Sequence, residues 1–306
     1  MRLAKFFSDT CPRWRSIVTF LALVVALILV HYWDSSQQFQ RDEWFYSLLN
    51  RFAGWSFPPV LELLLVIMLP AAAIWLLLEL FGGWLFGLVG MGLTVCLLLY
   101  SFGRGDYEAA VTRYRSQCGG GDLQSALLSA EELFAADPAD FDETGPEGLH
   151  RWMKKRFVYM AFERWFAVIF YFVLFGPVGA VAYRLLQIYA ESSRARPAAG
   201  LAPSVLHYID WVPSRLMLTA FALTGDYVGS RALLSDAWQD LRNGNAQVLS
   251  DCAHAALGLK STVYNDSGDQ ATFAQVSEWE VDQLHGLISR SAIAWLLFVS
   301  LLTIFL

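Results

Sequence analysis

The sequence predicts an all-α membrane protein with four to five membrane segments and helical regions outside the membrane. Of the 306 residues, 56% are hydrophobic and only 16% are charged, whereas soluble domains carry about 25% charged residues. The apolar residues form uncharged blocks of nearly bilayer length, and residues 104–156 and 191–286 between them are polar enough to fold in water. We therefore expect a polytopic helical protein with two sizeable segments outside the membrane.

Residues 1–103 are predicted to contain three membrane spans. Residues 16–33 are uncharged, and their 18 positions come close to the ~20 that a crossing needs. A second apolar run covers 60–79, in which Glu62 and Glu79 are the only charged residues, and an uncharged third run covers 80–103. Between the first and second runs, residues 34–57 are predicted to form an interfacial helix, because their apolar side chains fall on one helical face.

Residues 104–156 are predicted to form a soluble helical segment, and 157–190 a long membrane helix with a break. As a straight helix, 157–190 would measure about 50 Å against a bilayer core of ~30 Å. Gly176 and Pro177 mark the expected break, because proline removes a backbone hydrogen bond and clashes with the preceding turn. Gly179 adds a position where another helix can approach closely.

This break leaves two topologies open. A single crossing would put the two polar segments on opposite sides of the membrane. A helix that folds back would keep both on the cytoplasmic side.

Residues 191–286 are predicted to hold an interfacial, re-entrant or buried helix and then a soluble helical region. Asp210 with Pro213 three positions later is typical of an N-cap and a first helical turn. The apolar stretch that follows has nine residues and is too short to span. Residues 287–306 end in an uncharged run and are predicted to form a last, short span.

The composition argues against several classes of function. The net charge is −6, from 22 basic and 28 acidic residues, and no basic block is present, so nucleic acid is not an expected partner. The four cysteines and five histidines are scattered, which favours neither a disulfide framework nor a zinc site. We expect no metal and no cofactor.

Ionisable residues beside the membrane runs are the candidates for function. A charged group at membrane depth usually faces a cavity or a partner, although Arg184 can also be explained as a helix end that snorkels to the interface. Glu163 and Arg184 are 21 positions apart, about 30 Å along a straight helix, so they meet only if the chain folds at Gly176. The candidate ligand-binding residues are Glu163, Tyr183, Arg184, Asp210 and Arg215. Two arginines at one site would suit a phosphate or a carboxylate.

Three stretches carry a family resemblance: FERWFAVIFYFVLFGPVGAVAYR (162–184), HYIDWVPSRL (207–216) and GRGDY (103–107). They resemble the AmpE family, inner-membrane proteins of Gram-negative bacteria associated with the regulation of β-lactamase induction. The resemblance implies a multi-pass protein of the inner membrane that acts in the β-lactam and cell-wall stress response. It also implies two partners, a muropeptide-derived or other anionic small molecule and a cytoplasmic muropeptide amidase.

Through AmpE the chain is distantly similar to the membrane-bound adenosylcobinamide-phosphate synthases. The matching positions are Glu163, Gly176, Gly179, Ala180, Tyr183, Arg184, Pro213 and Arg215. The sequence departs from the synthase pattern at Gln187, Ile188, Ala190, Glu191, Leu206, His207 and Asp210. Because these departures remove carboxylates that an ATP-dependent ligase needs, we expect a ligand-binding regulator without catalysis. The alternative is an amide-forming, ligase-like enzyme.

Overall fold

The computed structural model describes residues 12–32, 41–53, 57–81, 87–102, 107–134, 146–193, 201–259 and 270–305. Every regular element among these residues is helical, which confirms the predicted all-α class. The helices are α1 (Pro12–Tyr32), α2 (Glu43–Ala53), α3 (Pro59–Phe81), α4 (Leu88–Ser101), α5 (Tyr107–Gly119), α6 (Leu123–Phe134), α7 (Pro146–Ala161), α8 (Ala167–Ser193), α9 (Leu201–Thr224), α10 (Tyr227–Gln239), α11 (Asn245–Ala256) and α12 (Gln270–Phe305). A single π-helical turn, Phe162–Phe166, joins α7 to α8.

Three of the described helices are long and apolar enough to cross a membrane. They are Pro59–Phe81, Pro146–Ser192 and Phe273–Leu302. Two shorter apolar helices, Phe20–Val30 and Leu88–Ser101, lie within the first and third predicted spans. The protein is therefore a helical membrane protein.

The chain divides into two compact units. The first contains Met1–Arg104, Ala167–Ile209 and Leu296–Leu306, and the second contains Gly105–Phe166 and Asp210–Trp295. Each unit is thus assembled from separate stretches of the chain.

The first unit is built around α8. Helices α3 and α4 both pack on α8, and α1 packs on α4. The core includes Phe45 and Leu49 from α2, Val66 from α3, and Leu185 and Ile188 from α8. The apolar face predicted within 34–57 therefore contributes Phe45 and Leu49 to a protein core, where both are fully buried.

The second unit is the more polar one. Its α11 packs on α7 and on α10, and α5 packs on α6 and α7. Asp122 caps α6 as its position suggests, because its carboxylate accepts a hydrogen bond from the backbone N–H of Ser125 at 3.0 Å. The glycines at 82 and 83, where the sequence predicts a tight turn between the second and third spans, lie outside the described residues.

The predicted helix start at Asp210 is wrong. Helix α9 runs without interruption from Leu201 to Thr224, so Asp210 and Pro213 both lie in its interior. Proline at 213 lacks the N–H that would bond to the carbonyl of Ile209. The hydroxyl of Tyr171 donates to that carbonyl at 2.7 Å instead, which satisfies the freed acceptor and lets the helix continue.

Two helices are longer than their sequence signals indicate. The helix predicted to begin at 157 begins at Pro146. The uncharged C-terminal run is the second part of α12, which begins at Gln270. In both cases a polar stretch leads into an apolar stretch without a break in the helical structure. The charge pattern alone therefore does not show where these helices begin.

Candidate functional site

Helix α8 folds back at Gly176. This residue has φ 67° and ψ −161°, a conformation that is essentially restricted to glycine. A Cβ at Gly179 would lie 2.6 Å from the carbonyl oxygen of Tyr171, although eight residues along a straight helix span about 12 Å. The two limbs of α8 before and after Gly176 therefore lie against each other, so the stretch Pro146–Ser192 has the length of a membrane span but is not one straight helix.

A hydrogen-bonded network of three side chains lies on the second limb. The guanidinium Nη1 of Arg184 donates to Oε1 of Gln187 at 2.8 Å, and Nε2 of Gln187 donates to the hydroxyl of Tyr183 at 3.0 Å. All three are buried, with exposed fractions of 4% or less. The ring of Tyr183 also stacks on Tyr171 of the first limb, with ring centroids 5.0 Å apart. The network is thus fixed from both limbs of the hairpin.

Gln187 belongs to this network but is not among the five predicted site residues. It follows Tyr183 by four positions and Arg184 by three, and side chains at these spacings are neighbours on a helix. The spacing alone could have identified Gln187 as a partner of both residues.

The other three predicted site residues lie in the second unit. Asp210 is fully buried, and its Oδ2 accepts a hydrogen bond from the hydroxyl of Tyr159 at 2.9 Å. Glu163 lies in the π-helical turn, with its carboxylate 3.9 Å from Nη1 of Arg156. Turns of this kind occur often at functional sites, because the extra residue redirects the side chains.

Arg215 makes four hydrogen bonds within its own unit. Its Nε donates to the carbonyl of Ala237 at 3.0 Å and its Nη2 to the carbonyl of Asp240 at 2.9 Å. Its Nη1 donates to Oδ1 of Asn245 at 2.8 Å and to the hydroxyl of Ser214 at 3.0 Å. These contacts tie α9 to the end of α10, to the start of α11 and to the connection between them. Arg215 therefore has a structural role, in addition to the role in ligand binding that the sequence predicts.

The structure therefore groups Tyr183 and Arg184 with Gln187 in the first unit, and places Glu163, Asp210 and Arg215 in the second. A common ligand site for all five residues stays a prediction.

The structure contains a second buried polar cluster that no pattern in the sequence predicted. The carboxylate Oε2 of Glu280 lies 2.5 Å from Nζ of Lys154 and 3.1 Å from Nε2 of His150. Nδ1 of His150 is hydrogen-bonded to the hydroxyl of Tyr114 at 2.9 Å. We call these four residues the Glu280 cluster. Its members come from α5, α7 and α12, so no local spacing in the sequence indicates it.

His254 of α11 lies near the Glu280 cluster. Burial, together with the positive charge of Lys154, lowers the pKa of His254 to about 4. The imidazole is therefore neutral in the folded protein at physiological pH. Within the described part of the chain, no group of three or more His, Cys, Asp or Glu side chains is arranged to hold a metal ion.

A comparison with protein families identifies the chain. The family described as "Regulatory signalling modulator protein AmpE" matches residues 18–304, nearly the whole length. The chain belongs to the AmpE family. Membership in AmpE gives the protein a regulatory role in signalling and confirms the resemblance seen in the sequence. No curated protein and no solved structure matches the chain.

Proposed function

We propose that this AmpE-family protein is a regulator of the β-lactam and cell-wall stress response, acting on β-lactamase induction from the bacterial inner membrane. In this proposal it binds a small anionic ligand and does not catalyse a reaction. The observation that carries the proposal is the buried Tyr183–Gln187–Arg184 network on the folded-back limb of α8. The network holds the guanidinium of Arg184 in one orientation, and an oriented guanidinium can donate charge-assisted hydrogen bonds to an anion.

The ligand is proposed to carry a phosphate or a carboxylate. A guanidinium is suited to either group, because its planar N–H donors match two oxygens at once. A muropeptide-derived molecule meets this requirement through its carboxylates. The cytoplasmic muropeptide amidase implied by the family resemblance is the proposed protein partner.

The fold-back at Gly176 supports a cytoplasmic placement for both polar segments. Past the glycine, the second limb has only 17 residues, from Pro177 to Ser193, about 25 Å of helix. A helix that enters the bilayer and turns back returns its end to the side from which it came. We therefore propose a multi-pass arrangement with residues 104–156 and 191–286 on the cytoplasmic side.

A genetic experiment tests the regulatory role. Deletion of the gene should alter β-lactamase induction by a β-lactam and the response to cell-wall antibiotics. Re-introduction of the parent protein should restore both, and so should Arg231→Gln, which changes an exposed arginine of α10. Induction that is the same with and without the gene would refute the proposed regulatory role.

Mass spectrometry of small molecules that copurify with the protein tests the ligand. We expect an anionic metabolite in the detergent-solubilised parent and in Arg231→Gln, and its loss in Arg184→Ala. A well-folded parent protein that carries no such molecule would point to regulation through protein contacts alone. Nucleotide-dependent turnover that Arg184→Ala abolishes would instead support the ligase-like alternative, which would use Glu163, Arg184 and Arg215 of the synthase pattern.

A further inference from the structure

The second part of α9 presents an apolar stripe on the outside of its unit. Val212 and Leu223 are 41% and 72% exposed, and Leu216 and Thr219 between them are partly exposed. The spacings of four, three and four residues place these side chains on one face of the helix. At the start of α10, Tyr227 and Val228 extend this exposed surface, with exposed fractions of 51% and 85%. We call these six residues the α9 stripe.

The polar residues of the same segment lie on its other side. Asp210, Ser214 and Arg215 are all fully buried. Helix α9 is not among the three described helices that qualify as spans by length and composition, because buried charges lower the average hydropathy as much as exposed ones. From Val212 to Leu223 the side that α9 turns outward is nevertheless almost wholly apolar, which is the pattern of a helix in contact with lipid.

The end of α9 lies where α12 passes from charged to uncharged sequence. The hydroxyl of Thr224 is hydrogen-bonded to that of Ser291 at 2.8 Å. Ser291 follows the exposed Arg290 and begins the uncharged run that continues to the C-terminus. Ile293, two residues further, is 60% exposed. The edge of the membrane-embedded part of α12 therefore lies at the level of Thr224.

The start of the same segment lies near a second such boundary. Asp210 is hydrogen-bonded to Tyr159, six residues before the uncharged run that begins at Trp165. Phe166, the next residue of that run, stacks on Trp295 of α12 with ring centroids 6.2 Å apart, so the two uncharged runs begin at a similar level. The stretch from Asp210 to Thr224 spans about 21 Å and has a membrane boundary near each end. A segment placed in this way runs along the membrane surface.

We propose that the α9 stripe lies on the lipid bilayer at its interface with water. Valine and leucine side chains at 212, 216, 223 and 228 would enter the boundary between head groups and acyl chains. Tyrosine is favoured at this depth, because its ring is apolar and its hydroxyl reaches water. The exposed Arg290 beside Ser291 suits anionic lipid head groups.

Site-directed fluorescence in nanodiscs tests this proposal. The full-length protein, with Cys11 and Cys96 changed to serine, receives one new cysteine by Val212→Cys, Leu223→Cys or Val228→Cys and is labelled with an environment-sensitive dye. The native Cys118 and Cys252 are buried and are not expected to react. Nanodiscs of phosphatidylethanolamine and phosphatidylglycerol are prepared with one copy or with two copies of the protein, each with or without lipids that carry a nitroxide near the head group.

The matched control is Ser116→Cys, on an exposed position of α5. Its neighbour Arg115 pairs with Asp282, nine residues before Ser291 and thus about 13 Å from the boundary along α12. We expect nitroxide lipids to quench the dye at 212, 223 and 228 at least twofold more than at 116. Equal quenching at all four positions would overturn the proposal. Shielding of the three positions only in nanodiscs with two copies would overturn it in favour of self-association.

Discussion

The ring of Tyr171 stacks on the ring of Tyr183 with centroids 5.0 Å apart, although twelve residues of straight helix would separate their Cα atoms by about 18 Å. This contact exists because the chain reverses at Gly176. The stacked pair fixes the position of the second limb and, with it, of the Arg184 network.

Substitution of Gly176 by alanine is expected to destabilise the protein. No heavy atom lies within 4 Å of the position that a Cβ would take, so the penalty comes from the backbone conformation alone and is about 1–3 kcal/mol. A thermal melt of the detergent-solubilised protein measures it. The control is Gly92→Ala in α4, where a Cβ also meets nothing within 4 Å and the helical backbone should gain about 0.5–1 kcal/mol. Similar shifts for the two variants would contradict the strained conformation at Gly176.

Glu280→Gln is expected to be among the most destabilising single changes in the second unit. It leaves the ammonium of Lys154, whose side chain is 7% exposed, without the carboxylate it faces, and breaking a buried ion pair costs about 3–5 kcal/mol. Asp282→Asn removes the carboxylate of a pair that is 45% and 49% exposed and should leave the melting temperature unchanged. Adding Lys154→Met to Glu280→Gln should recover part of the loss. A Glu280→Gln protein as stable as the parent would show that the pair is dispensable.

His254 is expected to make the protein less stable in mild acid. Well above pH 6.5 the imidazole is neutral in both the folded and the unfolded chain, so it contributes no pH dependence there. Between pH 6.5 and 4 the unfolded chain binds the proton and the folded chain does not, because burial holds the folded pKa at about 4. This difference favours unfolding by up to about 3 kcal/mol at the acid end. Melting temperatures from pH 7 to 4 should fall less steeply in His254→Asn than in the parent, and parallel curves would refute the assignment.

Arg215→Lys is expected to destabilise the protein despite keeping the charge. An ammonium cannot reproduce the planar fork that reaches the carbonyls of Ala237 and Asp240, and buried acceptors left unsatisfied should cost about 3 kcal/mol in total. Arg231→Lys changes an exposed arginine of α10 and serves as the control in the same thermal melts. If both variants melt with the parent, the four hydrogen bonds of Arg215 contribute little to stability.

The class of the protein could be predicted from its sequence, because uncharged runs of bilayer length leave few alternatives to membrane helices. The AmpE assignment could be reached as well, from the stretches around Gly176 and Pro213. These features are local, because each lies within a short stretch of consecutive residues.

The course of α9 could not be predicted, because its deciding contact is not local. Asp210 and Pro213 have the spacing of a helix start, and propensity alone favours that interpretation. The hydroxyl that satisfies the carbonyl of Ile209 comes from Tyr171 of α8, 38 residues earlier in the chain. Tertiary structure overrides the local signal here.

The Glu280 cluster could not be predicted from the sequence either, because its residues are even further apart along the chain. Glu280 is 126 residues from Lys154 and 130 from His150 along the chain. Each of the three looks like an ordinary surface residue of a polar helix. Only the packing of α7 and α12 shows that they share one buried site.

The bond from Tyr171 to the carbonyl of Ile209 also bears on how AmpE sequences can diverge. While position 213 is proline, phenylalanine at 171 would remove the donor that pairs with this partly buried backbone acceptor. If a relative replaces the proline with a residue that has an N–H, the ordinary helical bond returns and the hydroxyl is no longer needed. Positions 171 and 213 are therefore expected to change together during evolution, so that the proline and the tyrosine are inherited as a pair or lost as a pair.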